Sequence, residues 1–118
     1  MRFTLLFGEW ELGPVHEDDA DFPTFFGNYE LSPELANVPQ LRHLLDYVAF
    51  SIKRWPLIEA DRLDEAIGRE EEQFIDLVES EAWALRDEAG ALTPILIPNF
   101  GTAGQICWRL NPTIDTKA

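Results

Sequence analysis

Apolar positions along residues 39–55 recur at helical spacing on two sides of the same stretch. One stripe holds Leu41, Leu44, Leu45, Val48, Ile52 and Trp55, the i, i+3, i+4, i+7 order of a core-facing helix. At about 100° per residue, the opposite arc holds His43, Tyr47, Phe50 and Arg54, where a surface helix carries plain polar residues. That second face has to be covered by more of this chain, by a second subunit or by a partner. Aromatics and arginine are enriched in interface cores, which makes these four side chains candidates for partner binding. The competing reading makes the helix central, with strands over its second face and with Trp10, Phe22, Phe25, Phe26 and Tyr29 needing burial as well.

The same patterning places the other elements. Residues 2–12 read as a strand, with Phe3, Leu5 and Phe7 on one face and, after a change of parity at Gly8, Trp10 and Leu12 on the other. A glycine permits the bulge that such a change implies. Gly13-Pro14 ends this strand, and 15–21 form an acidic loop. Residues 25–31 read as a second strand, with a tight turn at Gly27-Asn28 as the alternative. Ser32-Pro33-Glu34 has the capping hydroxyl and the first-turn proline of a helix start, Pro39 splits off a short turn, and Pro56 ends the main helix.

A second helix is expected from about Asp61, as N-cap, to about Ser80. Its apolar arc is Leu63, Ala66, Ile67, Phe74, Leu77 and Val78, with Glu65, Glu72, Asp76 and Glu79 on the reverse side and Glu65–Arg69 in the favourable i, i+4 order. Three strand-like runs follow at 82–86, 93–97 and 105–110, separated by turn-rich segments. The order ββααβββ, with helices grouped between antiparallel strands, predicts an α+β fold with two main helices on a largely antiparallel sheet. At 118 residues the chain fits one domain, 1–118, with 112–118 as a loose C-terminal tail.

Charge changes this picture more than composition does. The net charge of −13 is uneven: residues 1–31 carry −6, 32–60 carry 0, 61–90 carry −8 and 91–118 carry +1. Two acidic blocks flank a neutral helix. Such a field repels nucleic acid and anionic membranes and steers a basic protein partner inward. Cys107 is the one cysteine, so no intrachain disulfide forms, and the short apolar run at 3–7 is no secretory segment. A cytoplasmic monomer or homodimer is the expectation.

Candidate chemistry is sparse. His16-Glu17-Asp18-Asp19-Ala20-Asp21 offers oxygen ligands but lacks the glycine and closing glutamate of a calcium loop, so a solvated acidic segment is the simpler reading. His16 and His43 stand in no metal-binding spacing, and no Gly-rich phosphate loop or nucleophile elbow is present. Cys107 lies in a strand beside Trp108, as a buried, inert thiol would. Glu70 falls inside the apolar arc between Ile67 and Phe74, where a carboxylate must be paired, must snorkel outward or must hold its proton; Arg109 is the expected partner.

The sequence therefore predicts a non-enzymatic protein-interaction module that uses an acidic surface and needs no cofactor or metal. Small antitoxin, immunity or inhibitor proteins resemble it in charge and size only. The partner-binding candidates are His43, Tyr47, Phe50, Arg54, Glu65, Glu72, Asp76 and Glu79. Two alternatives are a small metal-assisted or ligand-binding enzyme using the acidic loop with Glu70, and a structural homo-oligomer subunit joined through the aromatic helix face.

Overall fold

Alternation of apolar and polar residues in the strands closes one face of an antiparallel sheet over a hydrophobic core. The computed structural model describes residues 1–62 and 64–112. Leu63, expected in the second helix, and nearly all of the expected tail lie outside the described residues. The strands are β1 (Arg2–Phe7), β2 (Trp10–Asp21), β3 (Thr24–Tyr29), β4 (Trp83–Asp87), β5 (Leu92–Pro94), β6 (Asn99–Phe100) and β7 (Gln105–Arg109). They form one sheet in the order β5-β4-β1-β2-β3-β7-β6, each neighbour antiparallel. Helices α1 (Arg42–Glu59), α2 (Glu65–Glu71) and α3 (Ile75–Val78) stand between β3 and β4 in the chain. The α+β class, the central placement of the helices and the antiparallel sheet are as the sequence predicts.

Register fixes which side chains meet. Leu5 lies opposite Leu85, Phe7 opposite both Trp83 and Trp10, Val15 opposite Phe3 and Tyr29, Phe25 opposite Trp108, and Ile106 opposite Phe100. These residues join the α1 stripe of Leu41, Leu44 and Val48 in a single core. An isolated Ile95–Leu110 bridge, with backbone bonds Leu96 N to Arg109 O and Asn111 N to Pro94 O, ties the chain after β5 to the end of β7. The sheet curls toward itself there without closing into a barrel.

Several local expectations are corrected. Gly8 is the reversal of a hairpin, not a bulge within one strand: Phe7 pairs with Trp10, and Gly8 has φ 60, the positive value that two-residue hairpin turns demand. The bulge exists, but on β2, where the register slips between Leu5 and Leu6 and Leu12 is the extra residue. Residues 15–21 are strand rather than loop. Their charged side chains carry no strand pattern, yet pairing of 15–21 with β3 satisfies the backbone regardless of side-chain type. The same pairing keeps Gly27-Asn28 extended rather than turned.

Pro56 does not end α1. Proline's fixed φ is itself helical, so it forfeits one hydrogen bond without leaving the helical path, and the last turn closes through Ala60 N to Pro56 O and Arg62 N to Leu57 O. Asp61, at φ 54, belongs to that ending; the second helical segment is instead capped by Asp64, whose Oδ1 accepts from Ile67 N at 3.0 Å. That segment is no continuous helix. A 3-10 turn at Glu72–Phe74 separates α2 from α3, and Phe74 and Leu77, three residues apart, are both buried.

Candidate functional site

The second face of α1 is the most elaborated region of the molecule, and residues 64–78 and 97–100 of this chain cover it. Tyr47 is 1% exposed, Phe50 4% and Arg54 7%. The Phe74 ring stands 5.6 Å from Tyr47, 5.4 Å from Phe50 and 5.2 Å from His43, while Phe100 faces Tyr47 from the sheet side at 6.2 Å. Tyr47 Oη donates to the Pro98 carbonyl at 2.9 Å, and Ser51 Oγ accepts from Phe100 N at 2.8 Å. The two-faced pattern thus marks a central helix. Tyr47, Phe50 and Arg54 are core residues of this chain, with Phe74 packed over the two rings. Burial pushes the Tyr47 phenol above its ordinary 10.0, an effect that the Arg54 charge partly opposes.

A band of ion pairs joins α1 to the segment above it. Lys53 Nζ donates to both oxygens of Glu70, at 2.7 and 2.8 Å. Arg54 spreads its fork between Glu71 Oε1 at 2.8 Å and Asn99 Oδ1 at 2.7 Å, with its carbon 5.0 Å over the Phe50 ring. His43 Nε2 lies 3.0 Å from Asp76 Oδ1, and that hydrogen bond lowers the Asp76 carboxyl below its ordinary 3.8. Of the three outcomes open to Glu70 in the apolar arc, the structure shows pairing, but Lys53 is the partner and not Arg109. Alternation past buried Trp108 puts Arg109 on the outward face of β7, where its Nε donates to Thr24 Oγ1 at 3.1 Å.

The other four carboxylates face outward. Glu65, Glu72, Asp76 and Glu79 are all exposed, and His43 is exposed beside Asp76. Two clefts flank α2. One of about 630 Å³ runs between α1 and α2, with His43, Phe50, Lys53, Arg69 and Glu70 among its walls. The other, of about 420 Å³, is bounded by Tyr47, Arg54, Ile67, Glu71, Val78 and Asn99. Sequence reasoning missed Lys53, Glu71 and Asn99 because each is an ordinary surface residue by pattern. Two signals point to them: Glu70 in an apolar arc, which Lys53 answers, and Arg54, a cation in an otherwise aromatic arc, which Glu71 and Asn99 answer.

The acidic β2–β3 hairpin lies apart from this region. Asp18 bridges His16 Nδ1, at 3.2 Å, and the Asn28 side-chain amide, while Asp19 Oδ1 accepts from Ala20 N at 2.8 Å. Phe22 at its turn is 86% exposed, contrary to the expectation that it needs burial. Among the described residues, no three His, Cys, Asp or Glu side chains converge in a group that could hold a metal ion. Cys107 is half-buried, and that burial raises its thiol. Among the described residues, no helix is long and apolar enough to cross a membrane. No protein-family model, curated protein or solved structure matches this chain.

Proposed function

We propose that the protein is a non-enzymatic interaction module whose acidic helical segment, residues 64–79, engages a cationic protein. The supporting observation is the division of labour among its carboxylates. Glu70 and Glu71 turn inward to Lys53 and Arg54. Glu65, Glu72, Asp76 and Glu79 stay exposed, and among the described residues the cross-element ion pair they make is that of Asp76 with the exposed His43. The outer surface therefore presents negative charge that no other ion pair among the described residues neutralises. Its field favours encounter with a basic surface and disfavours nucleic acid and anionic lipid. The aromatic residues beneath supply the rigid support, not the contact.

Affinity capture from the source cell, with wild-type protein and a Glu65/Glu72/Asp76/Glu79→Gln variant as baits, tests this reading. The expected partner is basic, is released as salt rises toward about 0.5 M, where exposed charges are screened within a few ångströms, and is lost on the variant bait. A partner with a neutral surface, held equally by both baits and at high salt, would overturn it.

A further inference from the structure

Helix α2 is attached to the molecule in a way that differs from its neighbours. None of its residues is buried, whereas α1 contributes Leu44, Tyr47 and Val48 to the core and α3 contributes Leu77. Ile67 packs partly buried against the core, and the rest of its grip on α1 is electrostatic: the Lys53–Glu70 pair, with side chains 55% and 35% exposed, and the Arg54–Glu71 pair. Clefts of about 630 and 420 Å³ lie on its two sides, so little packing backs these pairs. Beyond α2 the chain is fastened again by Phe74 in the aromatic cluster and by Trp83 Nε1, which donates to the Leu77 carbonyl at 3.0 Å.

The docked state also carries a penalty. Arg54 is a nearly buried cation whose Nε has no hydrogen-bond partner among the described residues. A buried charge regains hydration when its cover lifts, which offsets much of the attraction lost on separating the pair. Repulsion adds to this, since residues 64–79 place seven carboxylates against Arg69 alone. Elements held by few apolar contacts open at free energies far below global unfolding.

We propose that α2 is an electrostatically latched lid, which undocks locally to expose Arg54 while α1, the sheet and the Phe74–Leu77 anchor stay folded. The inference goes beyond the partner reading and stands apart from it, because opening is a property of the free chain.

Amide hydrogen exchange of the full-length protein, read by mass spectrometry without any partner, tests it. Peptides from α2 are compared with peptides from β1 and β4, at about 20 mM and about 500 mM salt, in wild type and in Lys53→Gln. Lys53 is half-exposed and its replacement leaves the core intact. The α2 amides are expected to exchange at least roughly tenfold faster than those of β1 and β4. Raised salt, or Lys53→Gln at low salt, should speed them by a further two- to fivefold or so, the range of one exposed ion pair, with the strands unchanged. Exchange of α2 at the rate of the strands would overturn the lid, as would an α2 rate indifferent to both salt and Lys53→Gln.

Discussion

Replacing Tyr47 measures directly whether the second face of α1 is core. Its hydroxyl donates to the Pro98 carbonyl in a buried setting, so Tyr47→Phe keeps the ring and strands that acceptor. Leaving a buried polar group unsatisfied costs about 1–3 kcal/mol. Tyr47→Ala additionally removes the ring that meets Phe50, Phe74 and Phe100 at 6.3, 5.6 and 6.2 Å. Truncating a large aromatic in a core costs about 3–5 kcal/mol, against about 5–15 kcal/mol for the whole fold. A tyrosine on an open surface would stay within about 0.5 kcal/mol of wild type. Urea unfolding followed by circular dichroism separates these cases. With a slope of about 2 kcal/mol/M, Tyr47→Phe lowers the midpoint by roughly 0.5–1.5 M and Tyr47→Ala by roughly 1.5–2.5 M. A Tyr47→Ala protein that melts with wild type would refute the burial argument. Equal losses for the two variants would refute the assignment of the larger part to ring packing.

Burial raises the phenols of both tyrosines, Tyr29 and Tyr47, above 10.0, so their contribution to stability is complete below pH 10.0 and disappears as pH climbs through the folded values; the phenolate absorbance of the native protein should rise at higher pH than that of the urea-unfolded chain, and a native midpoint at or below the unfolded one would contradict this. Asp76 behaves oppositely: its carboxyl, lowered by His43, stabilises above 3.8 and ceases to as pH falls through the folded value, so Asp76→Asn should lower the neutral urea midpoint slightly, as loss of one exposed pair does, and flatten the acid limb by the same amount, whereas a variant that tracks wild type at every pH would contradict this. An ideal Cβ at Gly101 would stand 2.6 Å from Trp55 Cδ2, so Gly101→Ala should cost about 1–3 kcal/mol and alter the near-ultraviolet dichroism of the tryptophans; an unperturbed spectrum and midpoint would show that the ring has room to move. Calcium, magnesium, manganese or zinc should show no calorimetric site tighter than about millimolar, and a micromolar site abolished by Asp18→Asn with Asp21→Asn would reverse that expectation.

The sequence discloses elements whose side chains face one way and conceals those whose partners lie far off in the chain. Leu41, Leu44 and Val48 announce a core-facing stripe, and Phe3, Leu5 and Phe7 announce a strand, because each pattern repeats with the geometry that creates it. Tyr47, Phe50 and Arg54 show equally plainly that a second cover exists. They cannot name it, since Phe74 and Phe100 come from segments that no local period connects to α1. The strand at 15–21 is hidden for a related reason: its order comes from backbone pairing with β3, which leaves no mark on a run of carboxylates. Glu70 is the instructive case between these limits. Its position in an apolar arc calls for a partner, an outward snorkel or a retained proton, and the structure shows the first of these. Choosing Lys53 over Arg109 requires knowing that α2 rests on α1 and that Arg109 points away from the core. The need for charge compensation is thus legible one residue at a time, whereas the identity of the compensating group is a property of the assembled layers. For the exposed carboxylates Glu65, Glu72 and Glu79, no cross-element cation is found among the ion pairs of the described residues, which is why the search for their counterpart turns outward to a cationic protein.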